Sequence, residues 1–211
     1  MPGLIHGLDA AVIRANLDRV RQRAGPDVEI LAATKYVPDD EMGLLRDAGV
    51  ELVGENRLQE MEGKQERWGD AFEWDFIGNL QSRKVKDVLP RVRLIQSVAT
   101  DSALRQLERH GSPDTRVLVE VNVAGEGSKG GVAPDELAGF IERCPVRVAG
   151  LMTMPPFTQD PESSRPYFAR LAELAAEHGL TTLSMGTTQD WEVALEEGAT
   201  LLRLGTTLYA R

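Results

Sequence analysis

The chain has 211 residues, of which 42% are hydrophobic and 27% charged, a composition typical of a soluble globular protein with one sizeable core. Its 24 Lys and Arg against 33 Asp and Glu give a formal net charge of -9, which disfavours nucleic acid and anionic membranes as partners. A single cysteine, Cys144, excludes an intrachain disulfide, and the three scattered histidines supply no zinc-ligand set, so we expect a cytoplasmic protein without a metal.

The predicted elements alternate between helix and strand along the chain. A first helix over residues 8–24 carries apolar residues at helical spacing, and Gly25-Pro26 ends it. Short apolar runs then predict eight strands, at 28–34, 51–54, 74–78, 92–98, 116–122, 146–152, 182–185 and 201–208. Amphipathic segments between these runs predict helices, from an acidic first turn at 39–41 to Gly49, from about residue 58, and at 81–89, 101–109, 134–143, 163–177 and 190–197.

Eight strands that alternate with helices favour a closed (β/α)8 TIM barrel, with residues 1–211 as a single domain. The alternative, an open doubly wound sheet, predicts a glycine-rich turn after the first strand, but no GxGxxG or GxxxxGK[ST] pattern occurs. The chain stops soon after the eighth strand, so we expect the helix over 8–24 to pack near that strand. No leader pattern and no run of roughly 18 apolar residues is present, so we expect neither export nor a membrane anchor.

Polar residues at the carboxyl ends of barrel strands face a common site. This position selects Lys35, Glu55, Asn56, Asn79, Asn122, Thr153, Thr187, Thr188, Arg203, Gly205, Thr206 and Thr207. The set holds no histidine or cysteine for nucleophilic catalysis and no carboxylate cluster for a tight divalent metal.

Lys35 follows the apolar residues Ile30 to Ala33, which predicts a partly desolvated amine able to form a Schiff base with an aldehyde. The alternative is a solvated lysine at the rim of the barrel. Thr187-Thr188 and Gly205-Thr206-Thr207 follow strands seven and eight, where many barrels bind phosphate through backbone N–H groups and hydroxyls. The alternative for Thr188 is an ordinary helix N-cap.

Arg203 lies two residues before Gly205, so both occupy the same face of the strand and point into the barrel mouth. The alternative is a buried structural arginine that pairs with Glu55.

Seven short motifs then carry a resemblance that extends over nearly the whole chain. They are Thr34-Lys35, Gly54-Glu55-Asn56 with Gln59-Glu60, Phe76-Ile77-Gly78 with Leu80-Gln81-Ser82 and Lys84, Ser128-Lys129 with Gly131, Gly150-Leu151-Met152 with Pro155, Leu183-Ser184-Met185-Gly186, and Arg203-Leu204-Gly205-Thr206. In this order they resemble the YggS/PROSC family of pyridoxal phosphate homeostasis proteins, whose fold is similar to the N-terminal barrel of alanine racemase.

The resemblance implies pyridoxal 5'-phosphate (PLP) as the cofactor, held by a Schiff base to Lys35. It further implies that Arg203 faces the pyridine nitrogen, that Thr188, Gly205 and Thr206 hold the phosphate, and that Asn56 lies near the ring. Asp75 stands where the family often has histidine, and Thr187-Thr188 stands where the family commonly has Met-Ser.

The function implied is PLP homeostasis, as a cofactor carrier or buffer without substantial catalysis and therefore not an enzyme. An arginine partner disfavours protonation of the ring nitrogen, and we expect this chain to lack the second domain that supplies the second base of alanine racemase. The alternatives are a small PLP-dependent amino-acid racemase and a barrel that binds another phosphorylated metabolite noncovalently. The expected partners are PLP and PLP-dependent apo-enzymes, with a monomer or weak dimer as the assembly. A second cofactor or partner site at Lys84 or Lys129 stays open.

Overall fold

Eight parallel strands form a closed barrel in the computed structural model, which describes residues 4–127 and 130–210. Each strand is hydrogen-bonded to the next along the chain, and the last pairs with the first. The strands are β1 (Glu29–Ala33), β2 (Leu52–Glu55), β3 (Glu73–Phe76), β4 (Leu94–Val98), β5 (Arg116–Glu120), β6 (Arg147–Met152), β7 (Thr182–Ser184) and β8 (Leu201–Leu204). The predicted TIM barrel is therefore confirmed.

Helices cover the outside of the barrel. They are α1 (Ala10–Ala24), α2 (Met42–Asp47), α3 (Leu58–Trp68), α4 (Val85–Val88), α5 (Asp101–His110), α6 (Leu137–Glu142), α7 (Arg165–Glu177), α8 (Trp191–Glu196) and α9 (Thr206–Tyr209). Short 3-10 turns at Asp39–Glu41, Gly69–Ala71, Ser82–Lys84, Leu89–Arg91 and Pro161–Ser164 flank several of them. The main apolar core lies between the helices and the sheet. Strands such as β4 are buried along their whole length because both of their faces are covered.

The predicted eighth strand over 201–208 is too long. It ends at Leu204, where Gly205 turns the backbone to φ -115 and ψ -97, and residues Thr206–Tyr209 form the short helix α9. The apolar Leu208 extended the strand pattern in the sequence, but it belongs to α9, where its side chain is buried. The predicted helix over 81–89 is likewise α4 between two 3-10 turns.

Helix α1 packs next to the end of the chain, as predicted. The Asn16 Nδ2 amide donates hydrogen bonds to the carbonyl oxygens of Leu208 at 3.2 Å and Ala210 at 2.9 Å. Ile13, Leu17 and Val20 form the buried face of the same helix. α1 thus supports a one-turn C-terminal helix whose last carbonyls have no further helical turn to bond them.

No helix within the described ranges is long and apolar enough to cross a membrane.

We expect Asn16→Ala to lower the free energy of unfolding by about 1 kcal/mol, because two carbonyls lose their amide donor but can be rehydrated. Chemical denaturation measures the change. Arg19→Ala, at an exposed position of the same helix, is the matched control. Equal stability of the two variants would show that α1 does not hold α9 through Asn16.

Candidate cofactor-binding site

A cavity of about 460 Å³ opens at the carboxyl ends of the strands, bordered by β1, β2, β8 and the loops after β6 and β7. All six residues predicted to bind the cofactor line it: Lys35, Asn56, Thr188, Arg203, Gly205 and Thr206. The volume lies in the usual range for small-molecule sites. Another cavity, of about 820 Å³, lies at the opposite end of the barrel, and none of the predicted residues lines it.

Lys35 lies in the turn after β1 and is exposed, so the expectation of a desolvated amine is wrong for this structure. The turn carries its side chain past the buried end of the strand to the cavity rim. The Nζ atom lies 4.9 Å from the centre of the Tyr36 ring, whose face attracts a cation. The amine therefore lines the cavity from a solvated position, as the rim alternative predicted.

Glu55 is buried beside the cavity but does not pair with Arg203, so that alternative is wrong. Its Oε1 atom accepts hydrogen bonds from Lys64 Nζ at 2.5 Å and from the Thr34 hydroxyl at 2.7 Å. Lys64 Nζ also donates to the Thr34 carbonyl at 2.7 Å. This buried ion pair ties α3 to the ends of β1 and β2, the strands that lead to Lys35 and Asn56.

Asn56 follows β2 and lines the cavity. Its Oδ1 atom is buried, and no hydrogen-bond partner for it exists among the described residues. A buried polar atom without a partner costs free energy, which makes Asn56 a candidate ligand contact. Gly78 packs directly behind the residue, because a Cβ atom there would lie 2.0 Å from the Asn56 carbonyl oxygen.

Arg203 enters the cavity from β8 with a buried guanidinium. The guanidinium donates to the Ser184 hydroxyl through Nη1, and through Nη2 to the Thr153 carbonyl at 2.8 Å and Met154 Sδ at 2.9 Å. No carboxylate within residues 4–127 and 130–210 is hydrogen-bonded to it. Burial lowers the pKa of Arg203 to about 10, and the charges of Glu120 and Asp190 oppose that shift. The side chain is therefore a cation at neutral pH.

The β7–α8 loop brings two threonines to the cavity. Gly186 turns this loop with a φ of +88°, and a Cβ atom there would lie 2.6 Å from the Ala194 Cβ atom. The Thr187 N–H and hydroxyl both donate to Asp190 Oδ1, at 2.8 and 3.1 Å. Thr188 Oγ1 accepts from the Thr207 N–H at 3.2 Å, which joins this loop to α9. Thr188 is therefore not the helix N-cap, because α8 begins after Asp190.

Several other candidate residues lie away from this cavity. Asn122 binds its own loop, accepting from the Glu126 N–H at 3.2 Å and donating to the Glu126 carbonyl at 2.9 Å. Asn79 and Lys84 line a separate cavity of about 300 Å³ that shares only Asn56 with the first. Lys129 lies outside the described residues.

Sequence reasoning missed several residues of the site. Ile5, Tyr36, Ile77, Met154, Phe157 and Tyr209 line the cavity, and Phe157 is 83% exposed at its mouth. Lys64 could have been found, because it follows Leu58 and Met61 on the buried stripe of α3 at a spacing of three residues. Phe157 carries no such signal, since it lies in an irregular loop.

Comparisons with known proteins define the class first. The chain matches the family model "Alanine racemase, N-terminal domain" over residues 8–211. Alanine racemase from Corynebacterium glutamicum shares the fold with a TM-score of 0.76, at 17% identity, covering 97% of this chain and 61% of that chain. The molecule is thus a barrel of the alanine racemase N-terminal class.

The particular family follows from more similar relatives. The chain is 40% identical over 199 residues to the pyridoxal phosphate homeostasis protein of Aquifex aeolicus, covering 85% of this chain and 87% of that protein. The Pseudomonas aeruginosa protein of the same name is 37% identical over 198 residues, covering 88% of this chain and 86% of that protein. PipY of Synechococcus elongatus, solved with PLP bound, has a TM-score of 0.81 at 29% identity, covering 94% of this chain and all of that chain. This chain belongs to the family of pyridoxal phosphate homeostasis proteins.

The carboxyl of Glu120, at the end of β5, should make the stability of the protein depend on pH. Burial raises the pKa of its carboxyl, and the Arg203 charge opposes the shift. A raised native pKa means that stability is lost as the pH rises from the unfolded value, roughly 4.3, through the native value. Glu120→Gln removes this loss. The stability of the variant relative to wild type should therefore increase as the pH rises above about 4.

Denaturation curves at a series of pH values measure this difference. The exposed Glu142→Gln on α6 is the control for the substitution itself. The same stability difference at every pH for Glu120→Gln would show that burial does not raise the pKa of Glu120.

Proposed function

We propose that this protein binds PLP in the cavity at the carboxyl end of its barrel and serves PLP homeostasis as a carrier or buffer. The observation that carries the proposal is the meeting, in one cavity, of the Lys35 amine, the Arg203 guanidinium and the hydroxyls of Thr188 and Thr206. An amine suits an aldehyde, and hydroxyls together with backbone N–H groups suit a phosphate. Family membership supports the same function, since relatives from bacteria and yeast carry the homeostasis name.

The cavity fits the chemistry of PLP on two further observations. The Asn56 Oδ1 atom is buried and lacks a partner, so a donor from a ligand would satisfy it. Thr206 Oγ1 has no hydrogen bond to any described residue, and a Cβ atom built on Gly205 meets nothing within 4 Å. The side of the cavity next to α9 thus has both room and a free hydroxyl for an anionic group.

In this proposal each residue has a separate role. Lys35 supplies the amine that bonds covalently to the cofactor aldehyde, and its rim position leaves that amine accessible. Thr188, Gly205 and Thr206 hold the phosphate, and Asn56 lies beside the ring. The link from the Thr207 N–H to Thr188 Oγ1 keeps the two phosphate-binding segments together.

Arg203 accounts for the proposed absence of substantial catalysis. PLP acts as an electron sink most strongly when its ring nitrogen is protonated. A guanidinium only donates hydrogen bonds, so Arg203 facing that nitrogen keeps it unprotonated. With a pKa of about 10 the group stays charged at neutral pH and continues to donate. Such a site holds the cofactor without strongly activating it.

This role implies that PLP-dependent apo-enzymes receive the cofactor, in the cytoplasm, from a monomer or weak dimer of this chain. An amino-acid racemase would interconvert added enantiomers, and a noncovalent phosphate binder would hold PLP without a borohydride-fixable bond. Assays of racemisation and of covalent fixation by borohydride would therefore detect either alternative.

We expect Lys35→Ala to abolish the visible absorption band of bound PLP and its covalent fixation by borohydride, because no other amine lines the cavity among the described residues. Lys35→Arg should behave alike, since it keeps the charge but cannot attack the aldehyde. Lys84→Ala, next to the neighbouring cavity, is the control and should retain the band. Recovery of the reduced adduct mainly on another lysine would reject the assignment.

We expect Thr188→Ala and Thr206→Ala each to weaken PLP binding by about 1–3 kcal/mol, the range for losing a hydrogen bond to a charged group. Equilibrium dialysis measures the retained cofactor. The effect should be smaller with pyridoxal, which lacks the phosphate. Unchanged retention in both variants and in the double variant would place the phosphate elsewhere.

A further inference from the structure

A continuous row of polar side chains runs through the barrel interior and ends at Arg203. Asp75 accepts from Arg93 Nε at 3.0 Å and Nη2 at 2.9 Å, and from Gln96 Nε2 at 2.7 Å. Gln96 Oε1 accepts from the Ser184 hydroxyl at 2.7 Å, and Ser184 Oγ accepts from Arg203 Nη1. We call these five side chains, Arg93, Asp75, Gln96, Ser184 and Arg203, the interior row.

The three central members of the interior row are shielded from water, whereas Arg93 at its outer end is partly exposed and also donates to Glu29. Asp75, Gln96 and Ser184 are each fully buried. Two small apolar clusters are separate from the main core, one of Leu31, Leu52 and Leu201 and the other of Leu94, Leu118, Ala149 and Met152. Asp75, Gln96 and Ser184 therefore depend on their neighbours in the row, because an unpaired buried polar group costs free energy.

The two ends of the row fix the direction of every hydrogen bond within it. A carboxylate only accepts, and both oxygens of Asp75 face the Arg93 guanidinium. Gln96 must therefore direct its amide N–H₂ to Asp75 and its carbonyl to Ser184. The Ser184 proton then points to Gln96, which leaves an oxygen lone pair for Arg203, a group that can only donate.

Arg203 is unusually dependent on this lone pair. Its hydrogen bonds within the described residues go to neutral acceptors, namely Ser184 Oγ, the Thr153 carbonyl and Met154 Sδ. Met154 is 48% exposed on a loop, so it constrains the guanidinium weakly. Ser184 and Thr153 thus supply most of the orientation, and only Ser184 can change its hydrogen-bond polarity.

We propose that Asp75 and Gln96 are positioning residues for the cofactor: acting through Ser184, they hold the Arg203 guanidinium in the orientation that faces the cavity. The inference rests on the proposed function for its cofactor part, whereas the ordering of Arg203 belongs to the ligand-free protein. It also gives Asp75 a role, at a position where the family often carries histidine.

Three variants interrupt the row at different points. Gln96→Met removes both hydrogen bonds at similar volume, and Ser184→Ala removes the hydroxyl next to Arg203. Asp75→Asn is nearly isosteric but can turn its amide toward Gln96, which would reverse the Gln96 amide, make Ser184 accept from Gln96, and leave the Ser184 proton free to turn toward Arg203. Thr200→Val is the control. The Thr200 hydroxyl accepts from the Leu183 N–H at 2.8 Å, so it links β7 to β8 as the Ser184–Arg203 hydrogen bond does, but toward the opposite end of the barrel.

The first measurement uses the ligand-free protein. Heteronuclear NMR of the arginine side-chain N–H groups, with Arg203 assigned through its loss in Arg203→Lys, should give slowly exchanging Arg203 signals in wild type and Thr200→Val. We expect them to broaden or vanish in all three row variants. The second measurement is PLP titration, in which the row variants should bind roughly tenfold more weakly and with a shifted visible band.

Circular dichroism and thermal melting separate positioning from folding. A row variant would overturn the proposal if it melts at a lower temperature than wild type but keeps the wild-type Arg203 signals, PLP affinity and band position. If one substitution prevents folding, either of the other two decides the question by the same signals. Wild type with ordered Arg203 signals but no PLP binding would refute the proposed function and leave the ordering of Arg203 by the row intact.

Discussion

The closing of β1 onto β8 is the constraint on which the site depends. Parallel pairing sets Leu31 beside Arg203 and Ala32 beside Leu204, so the chain's first strand and last strand end at the same rim. Lys35 and Gly205 reach one cavity only because of this closure. The Tyr209 hydroxyl strengthens the contact between β1 and the segment after β8 by donating to the Ala33 carbonyl at 3.1 Å. The Asn16 amide binds the Ala210 carbonyl at the end of the same segment. The stability of the barrel and the shape of the cavity therefore depend on the same contacts.

Three cationic side chains of the barrel, of which Lys64 and Arg203 are buried and Arg93 is partly exposed, have different kinds of partner. Lys64 pairs with Glu55, and Arg93 pairs with Asp75 through two hydrogen bonds, so both have direct carboxylate partners. Arg203 has only neutral acceptors in the described part of the chain, with Glu120 and Asp190 acting at longer range. A buried cation that lacks a contacting carboxylate keeps donor capacity for another group, and Arg203 lines a cavity.

Much of the site was predictable because strand ends in a parallel barrel converge by geometry. Lys35, Asn56 and Arg203 line one cavity, as their positions after or within β1, β2 and β8 required. The environment of each residue was not predictable. Lys35 was expected to be desolvated but lies exposed in a turn, and Glu55 was a candidate partner for Arg203 but binds Lys64. Such pairings depend on which long side chains reach across α3 and the strands, and spacing along the chain does not encode that reach.

The sequence by itself determined the alternation of strand and helix, the closed barrel and the rim at which the polar residues gather, because periodicity and strand count are local properties. Only the tertiary structure decided that β8 stops at Leu204, that α9 follows, and that Asp75 joins Gln96, Ser184 and Arg203 in one interior row. These four residues lie on four different strands, β3, β4, β7 and β8. Their hydrogen bonds come into being when the barrel closes, and hydrogen-bond polarity is a property of the assembled set rather than of any single residue.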